Sequence, residues 1–349
     1  MTIASDILKK VEHHVALQIQ EQLVSLFTSR GRRVIVLAGP TAVGKTDLSL
    51  ELARLLSGEI ISADSMQVYR GMDIGTAKVS RAIRDEIPHH LIDIRDISEP
   101  FNVSDYCKEA CAALDDILAR GKVPIVVGGT GFYIHSLLYG PPAGPPSDPD
   151  VRKRLEKEAE RLGPDLLYAK LEAFDPEYAS TITPQDRHKV IRAIEIIELS
   201  GKKVSDFSWK TRRILPQYDF RCWFLHLPRE VLYKRLEERC KQMVEQGFLN
   251  EVIALDRAGL RQNRTACHSI GYAQALQYLD TAKTLEDYMQ FLERFIQASR
   301  HLAKRQFTWF RKEHVFRWVN LTEHDPDALA EFIADDYSSP TPWLPEPTK

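Results

Sequence analysis

The sequence predicts an α/β fold in which a parallel sheet is wound by helices, with an inserted helical domain and a helical C-terminal region. Three observations carry this expectation. Short apolar runs recur at residues 34–38, 59–63, 90–94 and 124–127, each ending near Gly, Asp or Thr and leading into a helix-patterned stretch. That alternation belongs to a parallel sheet covered on both faces. A glycine-rich turn, GPTAVGKT, follows the first run and opens a helix-forming stretch. The segment YGPPAGPPSDP at 139–149 can continue neither strand nor helix, because its prolines remove donors and fix the backbone.

Taken in order, residues 1–32 form an N-terminal extension. Ile7, Val11, Val15, Ile19, Leu23 and Phe27 lie four apart, the stripe of a helix that packs on the main domain. His13 and His14 are adjacent, so on a helix they diverge and make a poor metal pair. The first part of the α/β core covers 33–145. The insertion covers 146–214 and is charged and helix-patterned, without a convincing buried strand. Strand character resumes in RCWFLHL at 221–227; from Arg229 onward the chain reads as helical. The core continuation and a basic helical region occupy 215–320, and 321–349 is a C-terminal tail, Pro-rich and disordered from Ser338.

Length and composition bound the function. The chain has 349 residues, 44% hydrophobic and 28% charged, too many for one simple core. The formal net charge of −2 excludes indiscriminate nucleic-acid binding by the whole surface. Any such surface must be local, and there are two candidates. From Arg294 to Arg317 seven Lys and Arg residues face the single acid Glu313. Across 151–213 there are 14 basic against 11 acidic side chains, a weaker excess. The five cysteines include only one close pair, Cys107 and Cys111, which reads as helix packing; the odd count and the lack of a second ligand pair argue against a disulfide framework or a zinc site. No long uninterrupted apolar run opens the chain, so neither a signal peptide nor a membrane span is expected. A cytoplasmic protein with reduced thiols follows.

The turn Gly39, Pro40, Thr41, Ala42, Val43, Gly44, Lys45 and Thr46 matches G-x-x-x-x-G-K-[ST] between a strand and a helix. Its glycines let backbone N–H groups curl around phosphate oxygens, the helix N-terminus adds positive potential, Lys45 neutralises charge and Thr46 offers a hydroxyl to Mg²⁺. The fold class is thereby narrowed to a P-loop NTPase-like one. The motif fixes a phosphate and leaves the reaction open, since a nucleoside triphosphate such as ATP and an organic diphosphate present similar oxygens.

In open α/β sheets ligands lie beyond the carboxyl ends of the strands. Three ends are chemically suggestive here: Asp64 and the Ser65, Met66 and Gln67 that follow it, Asp93 with Arg95, and Gly128-Gly129-Thr130. Asp64 is equally consistent with a general base, a magnesium ligand or a turn cap. Thr130 suits either a second phosphate contact or a plain turn.

These segments together resemble the tRNA dimethylallyltransferase (IPP transferase) family from about Val34 to about Arg317. The carriers are GPTAVGKT, ISADSMQVYRGMDIGTAK at 61–78, PHHLIDIRD at 88–96, VVGGTGFYI at 126–134, the Arg239, Met243, Gly247-Phe248 pattern, and LAKRQFTWFR at 302–311. The resemblance implies transfer of a dimethylallyl group from dimethylallyl diphosphate to N6 of the adenosine 3′-adjacent to the anticodon (position 37) of a tRNA. It implies that Asp64 accepts the amine proton and that Lys45, Thr46, Thr130 and Arg239 hold the departing diphosphate with Mg²⁺. It places Asp64, Ser65, Met66, Gln67 and Thr130 against the flipped base. In the insertion it places Arg152, His188, Lys189, Val190, Ile191 and Arg192 against the anticodon stem-loop, and it adds His268, Gly271 and Tyr272. Arg300, Lys304 and Arg311, spaced by four and seven on one helical face, are its phosphate-tracking cations.

Bland readings stand beside these: Arg239 can be a surface ion pair with nearby acids, and the Arg300, Lys304 and Arg311 face a solvated one. The segment His268-Ser-Ile-Gly271-Tyr272-Ala273 departs from the family pattern, which has a cation after the tyrosine. A P-loop small-molecule kinase explains the phosphate cradle but leaves the insertion and the basic helix without purpose. A dimethylallyltransferase acting on free adenine nucleotides shares the chemistry without needing the insertion. A monomer is expected.

Overall fold

The computed structural model describes residues 32–207, 214–339 and 341. The expected leading helix therefore lies outside the described residues, as does most of the Pro-rich tail. The described chain divides into two compact units, one containing 32–140 and the residues from Leu215 on, the other Pro141–Ile214.

The first unit is built on a six-stranded sheet of order β3-β2-β4-β1-β5-β6, parallel in every pair. Its strands are β1 (Arg33–Ala38), β2 (Gly58–Ala63), β3 (His89–His90), β4 (Val123–Gly128), β5 (Asp219–His226) and β6 (Arg317–Asn320). Side chains alternate across the pleat. Val34, Val36 and Ala38 of β1 join one core, and Ile35 and Leu37 join the other. The first core is covered by α3 (Val103–Ala119), α4 (Gly131–Tyr139), α10 (Phe248–Arg257), α11 (Tyr272–Leu279) and α12 (Leu285–Phe310). The second is covered by α1 (Lys45–Leu56), α9 (Arg229–Glu245) and α13 (Pro326–Ser338). A short α2 (Arg81–Glu86) precedes β3.

Three expectations change here. The third strand is only His89–His90; beyond it Leu91 and Asp93 take left-handed backbone, with φ of 64° and 57°, which ends pairing. The stretch after Arg229 is not all helical, because Arg317–Asn320 adds β6 beside β5. The segment 321–349 is not simply a tail: Asp325 caps α13, whose Leu329, Ala330 and Ile333 are buried against Leu48, Leu52 and Ala53 of α1.

The second unit contains α5 (Pro149–Leu162), α6 (Pro164–Phe174), α7 (Pro176–Ala179) and α8 (Arg187–Ser200) around its own core of Leu155, Leu171, Val190, Ile191 and Ile194. Asp148 caps α5 through the amides of Asp150 and Val151. Fully buried Glu195 accepts from the Ser147 hydroxyl at 2.6 Å and the Asp148 amide at 2.8 Å.

Candidate active site

Sheet register assembles the site. Ala38 pairs with Gly128 and Gly128 with Ala63, so the residues that follow β1, β4 and β2 leave the sheet side by side. Gly128 is required, since a Cβ there would sit 2.2 Å from the Ala63 carbonyl oxygen. The Thr130 amide donates to that same oxygen at 3.2 Å, and the Ser65 amide donates to Thr130 Oγ1 at 3.2 Å. The β2 and β4 loops are thereby bound to each other.

The loop after β1 reverses through Ala42 at φ 65° and Gly44 at φ 111°, the N-cap of α1. Lys45 Nζ folds back to donate to the Gly39 and Pro40 carbonyls at 2.9 and 2.8 Å. Burial, with Arg239 adding repulsion and Asp64 opposing it, lowers the Lys45 ammonium to about 7. Burial likewise draws Arg239 below its ordinary range. Arg239 makes no ion pair among the described residues and lines the cleft, so the surface-ion-pair reading does not hold.

Asp64 combines two readings. Its Oδ1 accepts from the Met66 and Gln67 amides at 2.8 and 3.3 Å, a turn cap. Among the described residues no hydrogen bond occupies Oδ2, and Asp64 lines the cleft. Gln67 is committed to its own loop, accepting from Ser62 Oγ at 2.8 Å and donating to the Thr76 carbonyl at 3.2 Å.

The cleft has a volume of about 890 Å³, the size of a ligand site. It brings together Thr41, Ala42, Val43, Gly44, Lys45 and Thr46 with Asp64, Ser65, Met66, Gln67, Thr130, Arg239 and His268. Gly39 and Pro40 lie behind it as acceptors for Lys45. Asp93 and Arg95 stay out of it: Asp93 is held by Lys78 at 2.5 Å and Arg84 at 2.6 Å, and Arg95 by Glu109 at 3.0 Å.

Several expected RNA-facing residues serve the framework. Tyr272 is 1% exposed and donates its hydroxyl to Glu251 Oε1 at 2.6 Å; a Cβ on Gly271 would meet Phe295 at 2.8 Å. Gly271 packs behind the cleft, whereas Tyr272 forms part of its lining. Val190 and Ile191 are each 1% exposed in the core of the second unit, so their side chains cannot meet RNA. Arg152 and Arg192 both reach Glu195, at 3.5 and 2.7 Å. His188 and Lys189 are exposed, with Lys189 3.2 Å from Asp186. Arg300 pairs with Glu237 at 3.1 Å and lies over the Tyr233 ring. Lys304 and Arg311 are exposed, and no partner engages their side chains among the described residues.

Three further residues shape the site without having been singled out in the sequence, although Gln306 lies within the 302–311 segment. Buried Gln306 accepts the Thr41 amide at 3.0 Å and donates to the Gly129 carbonyl at 3.0 Å, tying the phosphate loop to the β4 turn. Arg235 donates to the Val43 carbonyl at 3.3 Å. Glu251 accepts the amides of Asp73, Ile74 and Gly75 at 2.9, 2.6 and 3.1 Å. Only Gln306 carries a signal in the sequence: the buried stripe of α12, Phe291, Phe295, Ser299, Ala303, Gln306 and Phe310, contains two polar members, and a buried amide needs partners.

Comparison with known proteins decides among the readings. A model of the family described as IPP transferase matches residues 67–313. The chain belongs to the IPP transferase family. It is 55% identical over 333 residues to a tRNA dimethylallyltransferase of Protochlamydia amoebophila (strain UWE25), covering 95% of this chain and 97% of that relative. It is 48% identical to a tRNA dimethylallyltransferase of Chlamydia pneumoniae, covering 93% and 95%. A solved eukaryotic dimethylallyltransferase acting on tRNA matches with a TM-score of 0.75 at 32% identity, over 90% of this chain and 81% of that one. The full-length tRNA isopentenylpyrophosphate transferase of Bacillus halodurans matches with a TM-score of 0.64 at 39% identity, over 88% and 96%. In this IPP transferase the P-loop NTPase-like α/β fold of the first unit presents the family's DSMQVYRGMDIGTAK and AKRQFTW segments to the same cleft, through Asp64 to Gln67 and through Arg305, Gln306 and Trp309.

Proposed function

We propose that this chain transfers a dimethylallyl group from dimethylallyl diphosphate to N6 of the adenosine at position 37 of tRNA, next to the anticodon on its 3′ side. The products are N6-(dimethylallyl)adenosine and diphosphate. The observation that carries the proposal is the convergence of the phosphate loop, Asp64 and Thr130 from one row of strand ends. The N6 lone pair attacks the allylic carbon, the carbon–oxygen bond to diphosphate breaks, and Asp64 Oδ2 takes the amine proton. Charge growing on the leaving diphosphate meets the loop amides, Lys45, Thr46, Thr130 and Arg239, already in place.

Mg²⁺ suits this arrangement. The described residues hold no group of three or more His, Cys, Asp or Glu that could cage a metal. Mg²⁺ at phosphate sites takes one or two protein oxygens, the substrate and water, and the exposed Thr46 hydroxyl at the start of α1 is such an oxygen. Bound there, the ion would offset diphosphate charge. We assign the anticodon stem-loop to the exposed cations Lys304 and Arg311, with His188 and Lys189 of the second unit. A monomer working in the cytoplasm fits these assignments, and no helix among the described residues is long and apolar enough to cross a membrane.

The deciding experiment incubates the protein with Mg²⁺, dimethylallyl diphosphate and an unmodified tRNA carrying adenosine at position 37, then digests the RNA to nucleosides. A dimethylallylated adenosine is expected. Phosphoryl transfer from ATP without that product would return the site to a small-molecule kinase, and modification of free adenine nucleotides alone would exclude the tRNA.

A further inference from the structure

At the rim of the cleft two large aromatic side chains stand in solvent. Phe132 of α4 is 43% exposed and Trp309 of α12 is 39% exposed. Their ring centroids are 6.1 Å apart at an interplanar angle of 64°. Trp309 is the anchored member of the pair. Trp309 presses on the backbone at Gly131, where a Cβ would lie 2.3 Å from the indole, and His135 meets the indole edge-on at 6.4 Å. Trp309 lines the cleft together with Thr130, Gly131 and Arg305. Around it Lys304, Arg305, Arg311 and Lys312 are exposed, and no partner engages their side chains among the described residues.

Exposed rings in mutual contact, beside cations that no side chain engages among the described residues, form a surface for a ligand that is flat, apolar on its face and anionic at its edge. We infer that Phe132 and Trp309 form a stacking platform for one unpaired nucleobase of the RNA strand, a neighbour of the adenosine that enters the cleft. The inference rests on the function proposed above. Flipping one base out of a stacked loop leaves its neighbour with an uncovered face, and an aromatic side chain covers such a face whatever the base. The cations hold the strand by its phosphates, while the rings fix where along the strand the cleft opens.

The test uses the full chain and an anticodon stem-loop with 2-aminopurine beside the target adenosine, compared among wild type, Phe132→Ala, Trp309→Phe and Trp309→Ala. Wild type should quench the fluorophore on binding. Phe132→Ala, a surface change, should weaken stem-loop binding about 5- to 150-fold, the loss of one aromatic–base stack, with the salt dependence and diphosphate affinity unchanged. Trp309→Phe should retain most of the quenching that Trp309→Ala loses. Wild-type affinity and quenching in Phe132→Ala overturn the platform, as does a loss that appears only through a changed salt slope. A shift of oligomeric state in Phe132→Ala would make the pair a contact between copies and also overturn it. If wild type prenylates tRNA while Phe132→Ala is indistinguishable from it, the platform alone fails; if wild type neither binds nor prenylates tRNA, the function proposed above fails and the platform with it.

Discussion

Gln306 holds the Thr41 amide at 3.0 Å from near the C-terminal end of α12, 265 residues further along the chain. The same carboxamide reaches the Gly129 carbonyl, so one side chain sets the phosphate loop against the turn that carries Thr130.

Gln306→Leu keeps much of the volume and removes both bonds. It leaves the buried Gly129 carbonyl without this partner, at about 1–3 kcal/mol, and the part-buried Thr41 amide at less. A lower denaturation midpoint is expected together with a higher KM for dimethylallyl diphosphate. Gln306→Glu keeps the acceptor for Thr41 and should recover part of the KM. Equal KM values for wild type and Gln306→Leu would remove the residue from the site.

Asp64→Asn separates cap from base. Its Oδ1 can still accept the Met66 and Gln67 amides, but it can no longer take a proton. Turnover should fall by about 10²- to 10⁴-fold while diphosphate binding, followed by calorimetry, stays near wild type. Unchanged turnover would leave Asp64 as a turn residue only.

Lys45 makes diphosphate binding depend on pH. Its free-state pKa is lowered to about 7 by burial and Arg239, and the negative charge of a bound diphosphate raises it toward the ordinary lysine range. Below about pH 7 the free protein already carries the ammonium and affinity is at its plateau. Above that pH each binding event must take up a proton, and affinity falls by up to about tenfold per pH unit. Calorimetry at pH 8 in buffers of different ionisation enthalpy should register close to one proton taken up, and Lys45→Met should abolish the uptake.

The basic helix divides by partner. Lys304→Ala with Arg311→Ala should weaken tRNA binding and flatten its dependence on log salt by about 0.7–0.9 per lost phosphate contact. Arg300→Ala should change the slope less, because that guanidinium is engaged by Glu237 and Tyr233. Equal slopes for all three positions would contradict this division.

Local features are legible in the sequence. The phosphate loop is one continuous motif, and β1, β2, β4 and β5 are apolar runs long enough to read directly. Asp64 and Thr130 follow from the rule that ligands gather at strand ends. The features that are not legible share a physical origin. Gln306 lies within a quoted segment, yet its task, like those of Arg235 and Glu251, is performed on backbone groups 176 or more residues distant, and no local pattern announces such pairings. The resemblance carries Val190 and Ile191 along with their neighbours in His188-Lys189-Val190-Ile191-Arg192, whereas helix geometry turns these two apolar side chains inward. β6 has only four residues and becomes a strand by pairing with β5.

The common register of Ala38, Gly128 and Ala63 also acts as a ruler. Neighbouring strands lie about 4.8 Å apart, so with β4 between them β1 and β2 end about 9.6 Å from each other. The distance from Asp64 to the phosphate loop is thus set by the sheet itself, and a ligand that reaches both must span it.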